Sequence, residues 1–262
     1  MSERAPEPHR GVSRRGLLVG GGVAAAAAAG TALLNPLAAS ASTAVAAQGS
    51  LPNPWDFGRG AYVSRRGSSL LAGGKPWRFG GTNTYYLHTS SHYMIDSALD
   101  NAGQLGLKVV RAWAFSDGAA GGQNVVLQSA PYKYDESAFD SLDYAVYKAG
   151  QLGIKLVLAL TNNWGDYGGM PQYVKWFHPS LSDDEYGDAT GNTPNHDLFY
   201  TDPQIRAAYS AYVAHVITRV NRYTGLAYRD DPTIMTWELA NEPRNRSAGT
   251  GFGNTDGAAL LK

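Results

Sequence analysis

The chain has 262 residues, which is enough for one large domain or two small ones. Its 22 basic and 22 acidic residues balance, and 44% of the sequence is hydrophobic. This composition excludes a disordered chain and lacks the basic excess of a nucleic-acid-binding protein, so we expect no nucleic-acid partner. The absence of cysteine excludes disulfides, thiol nucleophiles and cysteine-based metal sites.

Residues 1–41 have the features of a twin-arginine export signal. Arg14 and Arg15 precede a Gly- and Ala-rich apolar stretch, and small-residue cleavage sites follow at 39–41 and 44–46. We therefore predict a bacterial protein that is exported already folded, is extracellular, and contacts the membrane only during export. A membrane anchor is the alternative, because the apolar run is about long enough to span a bilayer.

The elements that follow a linker at 42–54 alternate between strands and helices. "AGGKPW" is typical of a turn between two short strands, and "WRFGGTNTYYL" predicts a strand. A helix in "MIDSALDNAGQLG" ends at Gly106, and the strand "LKVVRAWAF" follows it. A helix in "FDSLDYAVYKAGQLG" ends at Gly153 before the strand "IKLVLALTNNW". A polar loop is predicted from 165 to about 201, then a long helix capped by Asp202, and then the strand "PTIMTWEL".

Continuous apolar strands between helices predict an α/β fold whose parallel sheet is buried on both faces. An open doubly wound sheet and a (β/α)8 TIM barrel both fit this alternation. The strands end in polar or aromatic residues, as barrel strands do where they form an active site. "GGTNTYY" does not match the glycine-rich phosphate turn of a nucleotide-binding sheet. We therefore predict that residues 55–262 are the N-terminal half of a barrel, about four βα units of an incomplete catalytic domain.

The stretch "TWELANEPR", residues 236–244, places two carboxylates where a strand ends. Pro243 ends strand pairing and favours an extended backbone at Glu242, so Glu238 and Glu242 are not predicted to act as a pair. Glu238 is predicted to form hydrogen bonds inside the barrel, and Glu242 to lie at its mouth. A surface salt bridge is the alternative role for Glu242.

"WELANEPR", "VVRAWAFSDG", "LTNNWGDYGG" and "FYTDP", in this order, resemble glycoside hydrolase family 5, and specifically its endo-1,4-β-mannanases. The resemblance implies that Glu242 is the general acid/base, that Asn241 binds the sugar 2-hydroxyl, and that Arg111 supports the nucleophile. It also implies a substrate-binding set, in which core packing is the alternative role for both tryptophans: Trp164, Trp113, Arg244 and Asn163.

The family resemblance implies a retaining hydrolase that cleaves internal β-1,4-mannosidic bonds of mannan, glucomannan or galactomannan. We expect no cofactor, no metal and no obligate protein partner. The family's nucleophile, a glutamate after the seventh strand, has no counterpart in the sequence, so we expect this chain to be inactive alone. A cellulase or β-glucanase of the same family and an inactive sugar-binding fragment are the alternatives. His88 and His92, in "HTSSH", are predicted to be solvated or to face substrate rather than to bind metal.

Overall fold

The computed structural model describes residues 60–118, 124–181, 194–244, 246–247 and 251–252. The predicted export signal and linker therefore lie outside the described residues, as does the apolar run of the alternative anchor. Within those ranges, no helix combines the length and the apolar character needed to cross a bilayer.

The described chain begins with a small antiparallel sheet, as the "AGGKPW" turn predicts. It consists of β1 (Val63–Arg66), β2 (Ser69–Ala72) and β3 (Lys75–Pro76). Trp77 follows β3 and packs with Ala72 and Val109 in a small apolar cluster. This cluster attaches the antiparallel sheet to the strand that later carries Arg111.

Within the described residues, one parallel sheet of four strands forms the centre of the fold, in the order β4, β5, β8, β9. Its strands are β4 (Gly81–Asn83), β5 (Val109–Trp113), β8 (Lys155–Ala159) and β9 (Ile234–Glu238). Two antiparallel pairs lie outside it: β6 (Gln128–Ala130) with β7 (Lys133–Tyr134), and β10 (Arg246–Ser247) with β11 (Gly251–Phe252). Because all four strands are parallel, every carboxyl end of the central sheet lies at one edge.

Helices connect the central strands, as predicted for βα units. They are α1 (His92–Gln104), α2 (Asp140–Leu152), α3 (Gly169–Phe177), α4 (Leu198–Thr201) and α5 (Pro203–Thr218). Gly153 ends α2 in the left-handed conformation, with φ 67°. The carboxylate of Asp202 caps α5 by accepting from the backbone N–H groups of Gln204 and Ile205, so this predicted cap is confirmed.

Two predicted elements were wrong. The strand in "WRFGGTNTYYL" is limited to β4, because Tyr85–Thr89 forms a 3-10 helix. The predicted polar loop from 165 to about 201 contains α3, a 3-10 turn (Pro194–Asp197) and α4. In α3, Met170, Tyr173, Val174 and Phe177 recur at helical spacing on a buried or half-buried face. The glycines before this short pattern are typical of a loop, so the helix was not predicted from the sequence.

A buried arginine fastens the segment that leads into β9. The guanidinium of Arg219 lies between the rings of Phe139 and Tyr228, 4.1 Å and 5.1 Å from their centroids. It pairs with Asp143 on α2, which is fully buried. This charge pair inside the protein joins α2 to the chain after α5.

Candidate active site

The carboxyl ends of β5, β8 and β9 bring the predicted site residues together. Arg111 lies within β5, opposite Val157 of β8, and Glu238 is the last residue of β9. Beyond the regular strands, Asn162 and Asn241 pair as an isolated parallel bridge. This bridge prolongs the β8–β9 contact far enough to carry Asn241 and Glu242 to the edge of the sheet.

Arg111 joins β5 to β9 through its guanidinium. Its Nε donates to both carboxylate oxygens of Glu238, at 3.0 Å and 2.9 Å, and a terminal nitrogen donates to Oε2 at 2.6 Å. The same terminal nitrogen donates to Oδ1 of Asn241 at 2.7 Å. The expectation that Glu238 forms hydrogen bonds is confirmed, while its place inside a closed barrel stays a prediction. Side-chain exposure is 27% for Arg111 and 33% for Glu238, so water still reaches this pair.

Both the side chain and the backbone of Asn241 are held by hydrogen bonds to described residues. Its Oδ1 accepts from Arg111, and its Nδ2 donates to Oδ1 of Asn162 at 2.9 Å. Its backbone N–H donates to the carbonyl of Thr161, at 2.8 Å, and its carbonyl accepts from Asn163, at 3.0 Å. Because an arginine only donates, its contact determines which amide atom is oxygen. The amide has two N–H donors, and within the described residues only one of them is engaged.

Glu242 has an unusual backbone conformation. Its φ is +48°, in the left-handed region, so the extended backbone predicted from Pro243 was wrong. A non-glycine residue held there costs roughly 1–3 kcal/mol and persists only where its surroundings fix it. The bridge between Asn162 and Asn241 fixes the backbone directly before Glu242. The indole Nε1–H of Trp164 holds its side chain by donating to Oε2 at 2.7 Å.

Residues 60–254 match the family model described as GH family 5 beta-mannosidase-like. The chain belongs to glycoside hydrolase family 5. A putative mannan endo-1,4-beta-mannosidase 5 of Oryza sativa subsp. japonica is 41% identical over 200 residues, which are 74% of this chain and 38% of the relative. Mannan endo-1,4-beta-mannosidase 8 of the same plant is 40% identical, over 70% of this chain and 47% of the relative.

Solved structures agree with this family. An endo-1,4-beta-mannanase from Rhizomucor miehei superposes with a TM-score of 0.61 at 36% identity, covering 72% of this chain and 50% of that chain. A hyperthermostable endo-1,4-beta-D-mannanase from Thermotoga petrophila RKU-1, solved with maltose and glycerol, gives a TM-score of 0.56 at 43% identity, covering 64% and 46%. These relatives are TIM barrels, so the described sheet and helices are part of a (β/α)8 barrel, as predicted. The chain spans about half the length of the relatives that it matches.

In this family 5 chain, Trp164 and Arg244 form a stack beside Glu242. The guanidinium carbon of Arg244 lies 4.6 Å from the centroid of the Trp164 ring, a cation–π contact. One face of the indole is therefore covered by Arg244 and its N–H is engaged by Glu242. Only the other face of Trp164 remains for a sugar ring, and substrate contact by Trp164 and Arg244 stays a prediction.

Asn163 supports the site from a buried position next to the chain that follows Glu242. It is fully buried, and its Oδ1 accepts from the backbone N–H of Arg244 at 2.9 Å. Its carbonyl lies 3.0 Å from Nε2 of the buried His196. These contacts hold the chain after Glu242 against the end of β8. Sequence reasoning placed Asn163 with substrate, and that contact stays a prediction.

Trp113 belongs to an aromatic group on the β5 side of the site. Its ring centroid lies 4.8 Å from Tyr85, 4.9 Å from Phe115 and 5.5 Å from Tyr167. Trp113 is only 8% exposed and is part of the main apolar core, so core packing accounts for most of its surface. Sequence reasoning missed Tyr85 and Tyr167, although "TNTYY" and "GDYGG" place tyrosines in the segments that follow β4 and β8.

Two ionisable groups are completely buried beneath these aromatic residues. Burial lowers the pKa of His88 to about 4, while its contact with the Tyr85 carbonyl opposes this shift. Its ring packs near Phe115 and Tyr167, so the expectation of a solvated or substrate-facing His88 was wrong. Burial also raises the pKa of the Asp117 carboxyl well above its usual range, and a weaker contact with the Gly169 N–H opposes it.

His92, the second histidine of the "HTSSH" stretch, begins α1 and lies 2.8 Å from Oδ2 of Asp140. Its ring stacks on Tyr144 with centroids 3.9 Å apart. Among the described residues, no three His, Asp or Glu side chains converge in a way that could hold a metal ion.

Proposed function

We propose that the complete enzyme containing this chain is a retaining endo-1,4-β-mannanase, with Glu242 as general acid/base. The observation that carries the proposal is the position of Glu242 directly after Asn241, at the carboxyl edge of a parallel sheet in a family 5 chain. Active sites of TIM-barrel enzymes lie at this edge. The names of the matched relatives support a β-mannan as substrate. Glucomannan and galactomannan are the related substrates that the family resemblance implies.

In the first step of a retaining mechanism, Glu242 protonates the oxygen of the glycosidic bond while a second carboxylate attacks the anomeric carbon. The bond to the leaving sugar breaks, and a covalent glycosyl–enzyme forms. In the second step, the Glu242 carboxylate takes a proton from water, whose oxygen attacks the same carbon and releases the nucleophile. The indole N–H of Trp164 is placed to stabilise the Glu242 carboxylate between these steps.

Arg111 and Asn241 have supporting roles in this mechanism. The unengaged N–H of the Asn241 amide is available to a sugar hydroxyl, because Arg111 and Asn162 occupy its other groups. Such a bond would orient the ring next to Glu242. Glu238 is held by the fork of Arg111 donors, so we propose that the nucleophile comes from outside the described residues.

The test uses four proteins: the 262-residue chain, that chain with Glu242→Gln, a fusion of the 262-residue chain to the part of the Thermotoga petrophila mannanase that follows the matched region, and the fusion with Glu242→Gln. We call the fusion the extended enzyme. We expect sugar release from β-mannan only by the extended enzyme with Glu242 intact. Release from cellulose but not from mannan would support a β-glucanase instead. Hydrolysis by the 262-residue chain that Glu242→Gln abolishes would place a nucleophile within it.

We also propose export by the twin-arginine pathway, supported by Arg14, Arg15 and the small-residue cleavage sites that follow. Replacing both arginines with lysine should retain the protein inside the cell while leaving the described domain unchanged. Continued appearance of the variant in the medium would contradict this route.

A further inference from the structure

Asp117 is a buried carboxyl that the proposed mechanism does not use. It follows β5 and is 1% exposed, and neither carboxyl oxygen has a hydrogen-bond partner of good geometry within the described residues. The backbone N–H of Gly169 makes a weak contact with the carboxyl. A buried polar group without a full partner is costly, so its presence next to an active site calls for a compensating role.

The carboxyl faces the first turn of α3. The N-cap residue of this helix is Gly168, which has no side chain to accept from the first N–H groups. Asp117 brings an acceptor to this helix end from a different element, the end of β5. Packing there is close, because a Cβ at Gly118 would lie 2.6 Å from the side chain of Gln172. The end of β5 and the start of α3 therefore form one unit.

The turn between β8 and α3 is locked onto this unit. The backbone N–H of Asp117 donates to the carbonyl of Tyr167 at 2.8 Å, and a Cβ at Gly168 would collide with the carbonyl of Asp117. Tyr167, Gly168 and Gly169 have φ values of 59°, 94° and 59°. The two glycines adopt this region freely, whereas Tyr167 is a non-glycine residue that keeps this backbone only where its surroundings fix it.

Gly169, the last residue of this turn, also packs against the residues that contact Asn241 and Glu242. A Cβ at Gly169 would lie 2.5 Å from the carbonyl oxygen of Asn162 and would collide with that of Trp164. The backbone N–H of Met170 donates to the same Asn162 carbonyl at 2.7 Å. Asn162 in turn holds Asn241, and Trp164 holds Glu242. A continuous series of contacts thus runs from Asp117 through the turn to the acid.

We propose that Asp117 is a positioning residue for the acid/base, acting through the turn at 167–169 and the indole N–H of Trp164. The acid/base part of this inference rests on the proposed function. Asp117 touches neither the substrate nor Glu242. Its role is to keep the turn closed so that Trp164 holds the Glu242 carboxylate at the mouth.

The surroundings of Asp117 favour a neutral carboxylic acid. Tyr173 on α3, and Tyr209 and Tyr212 on α5, lie near it. Burial, and secondarily the Asp117 carboxyl, raises the pKa of each of these tyrosines. Asparagine has the same shape and a carbonyl acceptor but no charge, so it should replace a neutral Asp117. Alanine removes this side-chain acceptor from the start of α3, while the backbone bond from Asp117 to Tyr167 remains.

The first test needs no activity. The six tryptophans of the 262-residue chain give separate indole N–H signals in a nitrogen–proton correlation spectrum, and Trp164→Phe assigns one of them. Glu242→Gln defines the signal position without a carboxylate partner. We expect Asp117→Ala to move the Trp164 signal at least halfway to that position, and Asp117→Asn to leave it in place. An unmoved signal in Asp117→Ala, or an equal movement in Asp117→Asn, would overturn the proposal. If Asp117→Ala does not fold, Asp117→Ser should move the signal in the same direction.

The second test separates positioning of the acid from a general structural role. In the extended enzyme, Asp117→Ala should reduce mannan hydrolysis at least tenfold more than hydrolysis of an aryl β-mannoside with a good leaving group, whose first step needs no acid. Asp117→Asn should restore mannan hydrolysis. Equal losses on both substrates would contradict positioning of the acid. An extended enzyme without mannanase activity, combined with the expected spectral changes, would reject the proposed function and retain the contact between Asp117, the turn and Trp164.

Discussion

The mouth of the site and the layer beneath it treat ionisable groups in opposite ways. At the mouth, Arg111 and Glu238 are about one-third exposed and joined by several hydrogen bonds, and Glu242 accepts from an indole N–H. Beneath it, His88 and Asp117 are buried without a charged partner, and burial shifts the pKa of each toward the neutral form. The mouth thus offers water and hydrogen-bond donors to its ionisable groups, whereas the layer beneath it favours the neutral form of its own.

This contrast separates the roles that these side chains can have. A group that transfers protons to a substrate must be reachable, and the mouth residues are. A buried group without a partner cannot ionise cheaply, because desolvation penalises the charged form. His88 and Asp117 therefore contribute through shape and neutral hydrogen bonding. The following substitutions test this division, from the largest expected effect to the smallest.

Glu242→Gln should have the largest effect, because it removes the exchangeable proton and retains the shape. In the extended enzyme we expect mannan turnover to fall by roughly a hundredfold to ten-thousandfold, the usual contribution of a general acid/base. Formation of the glycosyl–enzyme from an aryl β-mannoside with a good leaving group should be less affected. The thermal transition should change little, since glutamine still accepts from Trp164. Asp230→Asn, at an exposed carboxyl before the amino end of β9, is the matched control. An equal loss on both substrates would exclude the acid role.

Arg111→Lys keeps the charge and removes the fork. A lysine carries its three donors on one nitrogen and lacks the planar fork with which Arg111 reaches both oxygens of Glu238 and Asn241. A hydrogen bond to a charged group contributes about 1.5–3 kcal/mol, which corresponds to roughly tenfold to a hundredfold in kcat/KM. Arg66→Lys, at an exposed position of β1, should leave kcat/KM unchanged. Unchanged kinetics in Arg111→Lys would show that only the charge matters.

His88→Leu should remove a pH dependence of stability. The pKa of His88 is about 4 in the folded chain, against an ordinary value of 6.5, so the unfolded chain binds more protons between these pH values. Stability from the neutral histidine is therefore complete above about pH 6.5 and declines as the pH falls toward 4. At about pH 4.5 the loss should be roughly 2–3 kcal/mol. The free energy of unfolding, measured at pH 7 and pH 4.5, should fall less in His88→Leu than in the wild-type chain. An identical decline in both proteins would mean that the pKa of His88 is not lowered in the folded chain.

Local patterns were sufficient to predict the fold, but not the depth of the site. The stops at Gly106 and Gly153 and the cap at Asp202 depend on neighbours a few residues away, and these predictions hold. The φ of Glu242 and the burial of His88 depend on contacts between distant parts of the chain, and both predictions were wrong. Pro243 biases the residue before it only weakly, whereas the bridge between Asn162 and Asn241 determines its direction.

The site residues were predicted as a set, because parallel strands in chain order deliver their carboxyl ends to one edge. The partners of each residue were not predictable. Sequence proximity suggests nothing of the bond from Trp164 to Glu242, which joins residues 78 positions apart. The contact of Arg111 with Glu238 spans 127 positions. Such pairs follow from strand register, and register is set by packing of the whole sheet.

The smallest expected effect compares two tryptophans. Trp164 donates its indole N–H to Glu242, whereas the N–H of Trp113 is buried without a partner among the described residues. Phenylalanine keeps an aromatic ring and removes the N–H at both positions. In the extended enzyme, Trp164→Phe should raise the activation free energy by about 1 kcal/mol, because one hydrogen bond to the acid is lost. This lowers kcat for mannan roughly fivefold. Trp113→Phe loses no such bond, so its kcat should stay within about twofold and any effect should appear in the thermal transition. A larger fall of kcat in Trp113→Phe than in Trp164→Phe would mean that ring area, rather than the paired N–H, controls the acid.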